Sequence, residues 1–84
     1  MTTADRNDVM TFLRAEIARR TLAPADQIVG PTVLIDIGLQ SVDAVMICGE
    51  VEDRYGIEVE PSLMFEYRTF GEVVEAVMAL LTSR

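Results

Sequence analysis

A glycine-containing turn, Asp36-Ile37-Gly38-Leu39-Gln40-Ser41, runs straight into an apolar pattern of helical period, and this junction constrains the fold more than any other stretch. Behind the serine, Ala44, Ile47, Cys48, Val51 and Tyr55 recur at spacings of three and four and mark one helix face. Val42, Val45, Met46 and Gly49 mark the other. Gly56 supplies a C-terminal stop, which bounds the helix at 41–55. Ser41 therefore lies at or beside a helix N-terminus, with its hydroxyl toward solvent. Backbone N–H groups at such an end favour a negative group, and a phosphate is one. A serine there is also a common N-cap with no further role. On the local pattern alone the cap is the commoner of the two, and both readings stand.

The flanking stretches extend the helical reading. Thr3 or Asp5 can cap a first helix at about 4–20, with Val9, Phe12, Leu13, Ile17 and the stem of Arg20 as its stripe. Asp8 early and Arg19 and Arg20 late suit the helix dipole. Residues 21–40 form a long connection, broken by Pro24, Gly30, Pro31 and Gly38. Ile28, Val29, Val33, Leu34 and Ile35 are apolar enough to pin it to the helices. The run 32–35 resembles a strand but has no evident partner strand nearby, so no sheet is expected. Pro61 suits the first turn of a short helix at about 61–66. Thr69 with Glu72 three residues on is a capping box. It opens a last helix at about 69–82, striped by Phe70, Val73, Val74, Val77, Leu80 and Leu81, with Glu72 and Glu75 facing water.

The expected fold is thus all-α, a small four-helix bundle with three main helices, a short helix before the last, and a long first loop. At 84 residues the chain is expected to form one domain, 1–84. The second helix has two faces to place. Ala44, Ile47, Cys48, Val51 and Tyr55 are core, and Cys48 among them is read as an inert buried thiol. Val42, Val45, Met46 and Gly49, fringed by Asp43, Glu50, Glu52 and Asp53, have the make-up of a docking surface beside an exposed serine. The alternative is a central helix buried on both faces.

Composition narrows the function. There is no histidine, so His-based metal sites and Ser-His or Cys-His catalysis within the chain are excluded. A single cysteine rules out an internal disulfide. No apolar run approaches the roughly 18 residues of a membrane span, and no leader pattern opens the chain, so a cytoplasmic, reducing setting is expected. The net charge is −7, with −1 on residues 1–40 and −6 on residues 41–84. Such a surface repels nucleic acid and anionic membranes and attracts partners with basic patches.

With these features in place, the chain resembles the acyl and peptidyl carrier proteins over nearly its whole length. The resemblance is most specific at Asp36-Ile37-Gly38-Leu39-Gln40-Ser41-Val42, then at Glu50-Val51-Glu52-Asp53-Arg54-Tyr55-Gly56-Ile57 and Phe65-Glu66-Tyr67-Arg68-Thr69. It implies a right-handed four-helix bundle. It implies, too, that Ser41 carries a 4′-phosphopantetheine arm, transferred from coenzyme A by a Mg²⁺-dependent phosphopantetheinyl transferase, with acyl or aminoacyl groups held on the arm's thiol as thioesters. Three positions depart from the family pattern. Gln40 stands where aspartate, or histidine in some peptidyl carriers, is usual; Met46 where glutamate is frequent; Arg68 where proline is frequent.

The expected function is a non-catalytic acyl carrier of a polyketide-type secondary-metabolite pathway, working as a monomer. Its expected partners are the transferase, an acyl- or aminoacyl-loading enzyme, and a ketosynthase or other pathway enzymes with basic docking patches. Gln40, Val42, Asp43, Val45, Met46, Gly49, Glu50 and Glu52 are the expected docking residues. An aminoacyl or peptidyl carrier is the alternative, as is a carrier-like interaction subunit that has lost the arm, for which Gln40 speaks.

Overall fold

A computed structural model of the protein describes residues 5–83. Helix α1 spans Arg6–Arg20. Its N-cap is Asp5, whose carboxylate accepts the Asp8 N–H at 2.8 Å. The helix thus starts later than the expected residue 4, which lies outside the described residues, as does Thr3. Helices α2, Ser41–Tyr55, α3, Leu63–Glu66, and α4, Phe70–Ser83, follow. Two single-turn segments, Ala25–Gln27 and Leu34–Ile37, interrupt the long connection between α1 and α2.

The ends of the helices follow from local chemistry. Gly56 stops α2 in the left-handed conformation, φ 66°, and donates its N–H to the Glu52 carbonyl. Thr69 and Glu72 form the expected capping box: the Thr69 N–H donates to the Glu72 carboxylate at 3.0 Å, and the Glu72 N–H to the Thr69 hydroxyl at 3.2 Å. Thr69 is therefore the cap, and α4 begins at Phe70 rather than at 69. Pro61 does not open α3. It sits in a turn in which Leu63 N–H meets the Glu60 carbonyl and Met64 N–H meets that of Pro61, so α3 is shorter than expected.

The core gathers one stripe from each main helix: Val9, Leu13 and Ile17 of α1, Ala44, Ile47, Cys48 and Val51 of α2, and Phe70, Val73, Val74 and Val77 of α4. Glu16 is also buried, on the flank of the α1 stripe, and its charge is met by Arg20 at 2.7 Å and Arg19 at 3.4 Å. Of the residues expected to pin the connection, Ile28 and Leu34 are buried, whereas Val29 and Ile35 are exposed.

The connection does have a partner, though not a strand. Val33 and Thr69 form an isolated antiparallel bridge. Leu34 N–H donates to the Arg68 carbonyl, Phe70 N–H to that of Thr32, and Gly71 N–H to that of Gly30. Arg14 adds a side-chain bond, Nε to the Ile28 carbonyl at 2.9 Å, while its guanidinium lies over the Phe70 ring. These contacts hold the connection flat against the start of α4, and so fix where α2 begins.

Candidate functional site

The turn that delivers Ser41 is built from the backbone outward. Leu34–Ile37 makes a single helical turn, and Gly38 closes it at φ 97°, a conformation that L side chains rarely adopt. The Gly38 N–H reaches the carbonyls of Ile35 and Leu34, and the Leu39 N–H also reaches that of Leu34. The chain then extends at Gln40, φ −108° and ψ 168°, which is the N-cap of α2. Its N–H donates to the Asp43 carboxylate at 2.9 Å, and its carbonyl accepts the first helical bond, from Ala44 at 3.0 Å.

Ser41 is therefore the first residue inside the helix, not its cap. Its side chain is exposed and makes no hydrogen bond among the described residues. The N–H groups of Ser41 and Val42 belong to the first turn and have no acceptor four residues back. Partial positive charge is thus presented beside the hydroxyl. No base among the described residues is hydrogen-bonded to that hydroxyl, and the chain has no histidine. The Ser41 hydroxyl is open to solvent.

Along the exposed face of α2, Val42 is 63 % exposed, Val45 51 % and Met46 54 %. Gly49 lies beyond them, and a Cβ added there would meet nothing within 4 Å. The helix is therefore not buried on both faces. The expected acidic fringe divides in two. Glu50 and Asp53 are exposed. Asp43 and Glu52 serve the backbone instead, Asp43 at the cap and Glu52 by accepting the Val59 N–H at 2.8 Å. Asp53, absent from the expected docking set, continues the row Val42, Met46, Gly49; the 42/46/49/53 spacing is a signal the sequence carries.

The far end of α2 is latched to α1. Tyr55 O–H donates to Asp8 at 2.6 Å and the Arg54 guanidinium to the same carboxylate at 3.1 Å. Arg54 also lies over the Phe12 ring, which meets Tyr55 edge-on with centroids 6.0 Å apart. Cys48 faces the core, where burial, with Glu52 nearby, pushes its thiol up to about 11. It is a protonated packing group, as its place in the apolar stripe implied.

Comparison with known proteins agrees with this geometry. A family model described as a phosphopantetheine attachment site matches residues 11–77. The chain belongs to this family. An acyl carrier protein of Saccharopolyspora erythraea is 31 % identical over 78 residues, spanning 92 % of this chain and 82 % of that one. Among solved structures, a free-standing peptidyl carrier protein from a secondary metabolic pathway of Acinetobacter baumannii is similar at TM-score 0.79 and 24 % identity, over 89 % of this chain and 94 % of that one. A hexanoyl acyl carrier protein from the actinorhodin polyketide synthase of Streptomyces coelicolor is similar at TM-score 0.71 and 17 % identity, over 98 % and 95 % of the two chains. The fold is the helical bundle of acyl and peptidyl carriers, and the cofactor of the family is 4′-phosphopantetheine. As a carrier protein, the chain works by holding a group for other enzymes.

Proposed function

We propose that Ser41 is the residue that receives the phosphopantetheine, and that the chain is a non-catalytic acyl carrier of a polyketide-type pathway. The observation that supports this most is the position of Ser41: an exposed, unpartnered hydroxyl on the first residue of α2, within the matched span and beside free first-turn N–H groups. The site fits the group, because no described residue covers the hydroxyl and the helix end favours a phosphodiester. Ser62, the other serine in that span, precedes only the four-residue α3 and follows Glu58 and Glu60 in the sequence, an acidic stretch that disfavours a phosphate. The acyl side is favoured by one sequence relative, an acyl carrier protein.

When bound, the arm supplies a thiol on which an acyl group rides as a thioester. The chain's own residues then position and present it. Ser41 anchors the arm, the Gly38 turn holds it away from the core, and Val42, Val45 and Met46 offer apolar contact to each partner. Glu50 and Asp53 steer basic docking patches on the transferase, the loading enzyme and a ketosynthase. The carrier gains its effect through effective concentration, since a tethered substrate meets each partner's active site as a near-intramolecular reactant.

The test is direct. Coenzyme A, Mg²⁺ and a broad-specificity phosphopantetheinyl transferase should add one phosphopantetheine to the protein by intact mass, and Ser41→Ala should add none. Folded wild-type protein that stays unmodified with several active transferases would sink the reading, as would modification of the Ser41→Ala variant.

A further inference from the structure

Close to the Ser41 turn lies a cavity of about 150 Å³. Leu34 and Leu39 of the connection, Met64 of α3, and Tyr67 and Arg68 just after α3 are among the residues that line it. Leu39 is two residues before Ser41, so the cavity borders the turn. An apolar cavity of about 150 Å³ takes a guest the size of benzene, which fits a short acyl chain and not a long one.

Arg68 is the one charged residue in this lining. Its backbone N–H is used, donating to the Glu72 carboxylate at 3.1 Å. Its guanidinium makes no ion pair or hydrogen bond among the described residues, although, after the larger effect of the Thr69 and Arg68 N–H bonds, its charge helps to hold the Glu72 carboxyl below its ordinary value. The nearby Glu72 carboxylate also takes the Thr69 N–H and hydroxyl, so the capping box occupies it. Elsewhere the half of the chain after residue 40 is strongly acidic and repels an anion. An exposed arginine that borders a mostly apolar cavity is complementary to one chemistry: a short apolar chain ending in a carboxylate.

We propose that Arg68 selects the acyl group that the chain shelters, favouring short acyl chains with a distal carboxylate, whose methylenes fill the cavity while the carboxylate meets the guanidinium. This rests on the reading of Ser41 as the arm's anchor. Arg68 acts on the cargo and takes no part in attaching the arm.

The experiment loads the protein from glutaryl-coenzyme A and pentanoyl-coenzyme A, which differ in the distal carboxylate at equal carbon number. Intact mass establishes loading. Hydroxylamine cleavage of each thioester is then timed against the corresponding free pantetheine thioester, and ¹⁵N–¹H shifts are followed at Leu39, Met64, Tyr67 and Arg68 Nε. Because the ion pair is partly exposed, glutaryl should be protected about two- to fivefold more than pentanoyl. The Arg68 Nε–H should shift with glutaryl only, and the difference should shrink in about 1 M salt. Arg68→Gln should erase it while far-UV circular dichroism shows the fold intact, and Arg68→Lys should restore part of it. An equal glutaryl preference in Arg68→Gln, or none in wild type, overturns the proposal and leaves a solvated surface arginine. Absence of loading in wild type is a different failure: it removes the anchor and this proposal with it.

Discussion

At the scale of single residues, side chains of like charge divide into different jobs. Asp43 and Glu52 were legible as an acidic fringe, yet each accepts a backbone N–H. The Glu52 role is hidden in the sequence because Val59 lies beyond a turn whose path the residues do not specify. Ser41 was placed to within one residue: Gln40 is extended and caps α2, so the serine is freed from capping. The core and surface faces of α2 were both legible, because a period of three and four separates them cleanly. Met46 is the sharpest test of the surface face. It is half exposed, so Met46→Ala should change stability by no more than about 0.5 kcal/mol. As an anchor in a partner interface it should still cost about 1 kcal/mol or more there, felt as dissociation at least about fivefold faster. Stopped-flow binding to a transferase, beside a urea melt, separates the two. Lost stability with unchanged binding would make the residue core.

At the scale of elements, the latch between α1 and α2 is a pH-dependent brace. Hydrogen bonding from Tyr55 is the largest influence on Asp8 and, with the Arg54 guanidinium, it outweighs partial burial and holds the carboxyl below its ordinary value. A depressed carboxyl pKa stabilises the fold fully above the unfolded value, about 4, and the stabilisation is lost as pH falls through the lower folded value. Tyr55→Phe should therefore cost about 1 kcal/mol at pH 7, and the gap from wild type should narrow below about pH 4. Urea melts at both ends of that range measure it; a penalty independent of pH would mean the hydroxyl does not brace ionised Asp8. From the sequence, Asp8 could be read only as an acid suited to a helix start. Its partners, Arg54 and Tyr55, lie far along the chain, and no local pattern joins them.

At the scale of the whole molecule, the helices were legible and the tie between them was not. Three main-chain hydrogen bonds join residues 30–34 to residues 68–71, and main-chain bonds leave little trace in residue identity. Gly71 is the exception. A Cβ there would lie 3.1 Å from the Gly30 carbonyl oxygen and 3.3 Å from its Cα. Alanine is the better helix former by about 1 kcal/mol, but overpacking against a pinned backbone costs about 1–3. Gly71→Ala should therefore destabilise by about 1 kcal/mol in a urea melt; a gain in stability would show that the connection gives way freely.

The same tie sets an order of events during translation. The segment that positions the Ser41 turn is held by carbonyls and N–H groups that the ribosome makes after the serine, so a nascent chain ending before Phe70 has its serine but not the frame that presents it. If Ser41 is the arm's anchor, its modification should wait until residues 68–71 have been made. Chains truncated at residue 67 should accept phosphopantetheine far more slowly than the whole protein, and supplying a peptide of residues 68–84 in trans should recover part of the rate. Equal rates for truncated and whole chains would mean that the transferase reads the turn and the start of α2 as a linear motif.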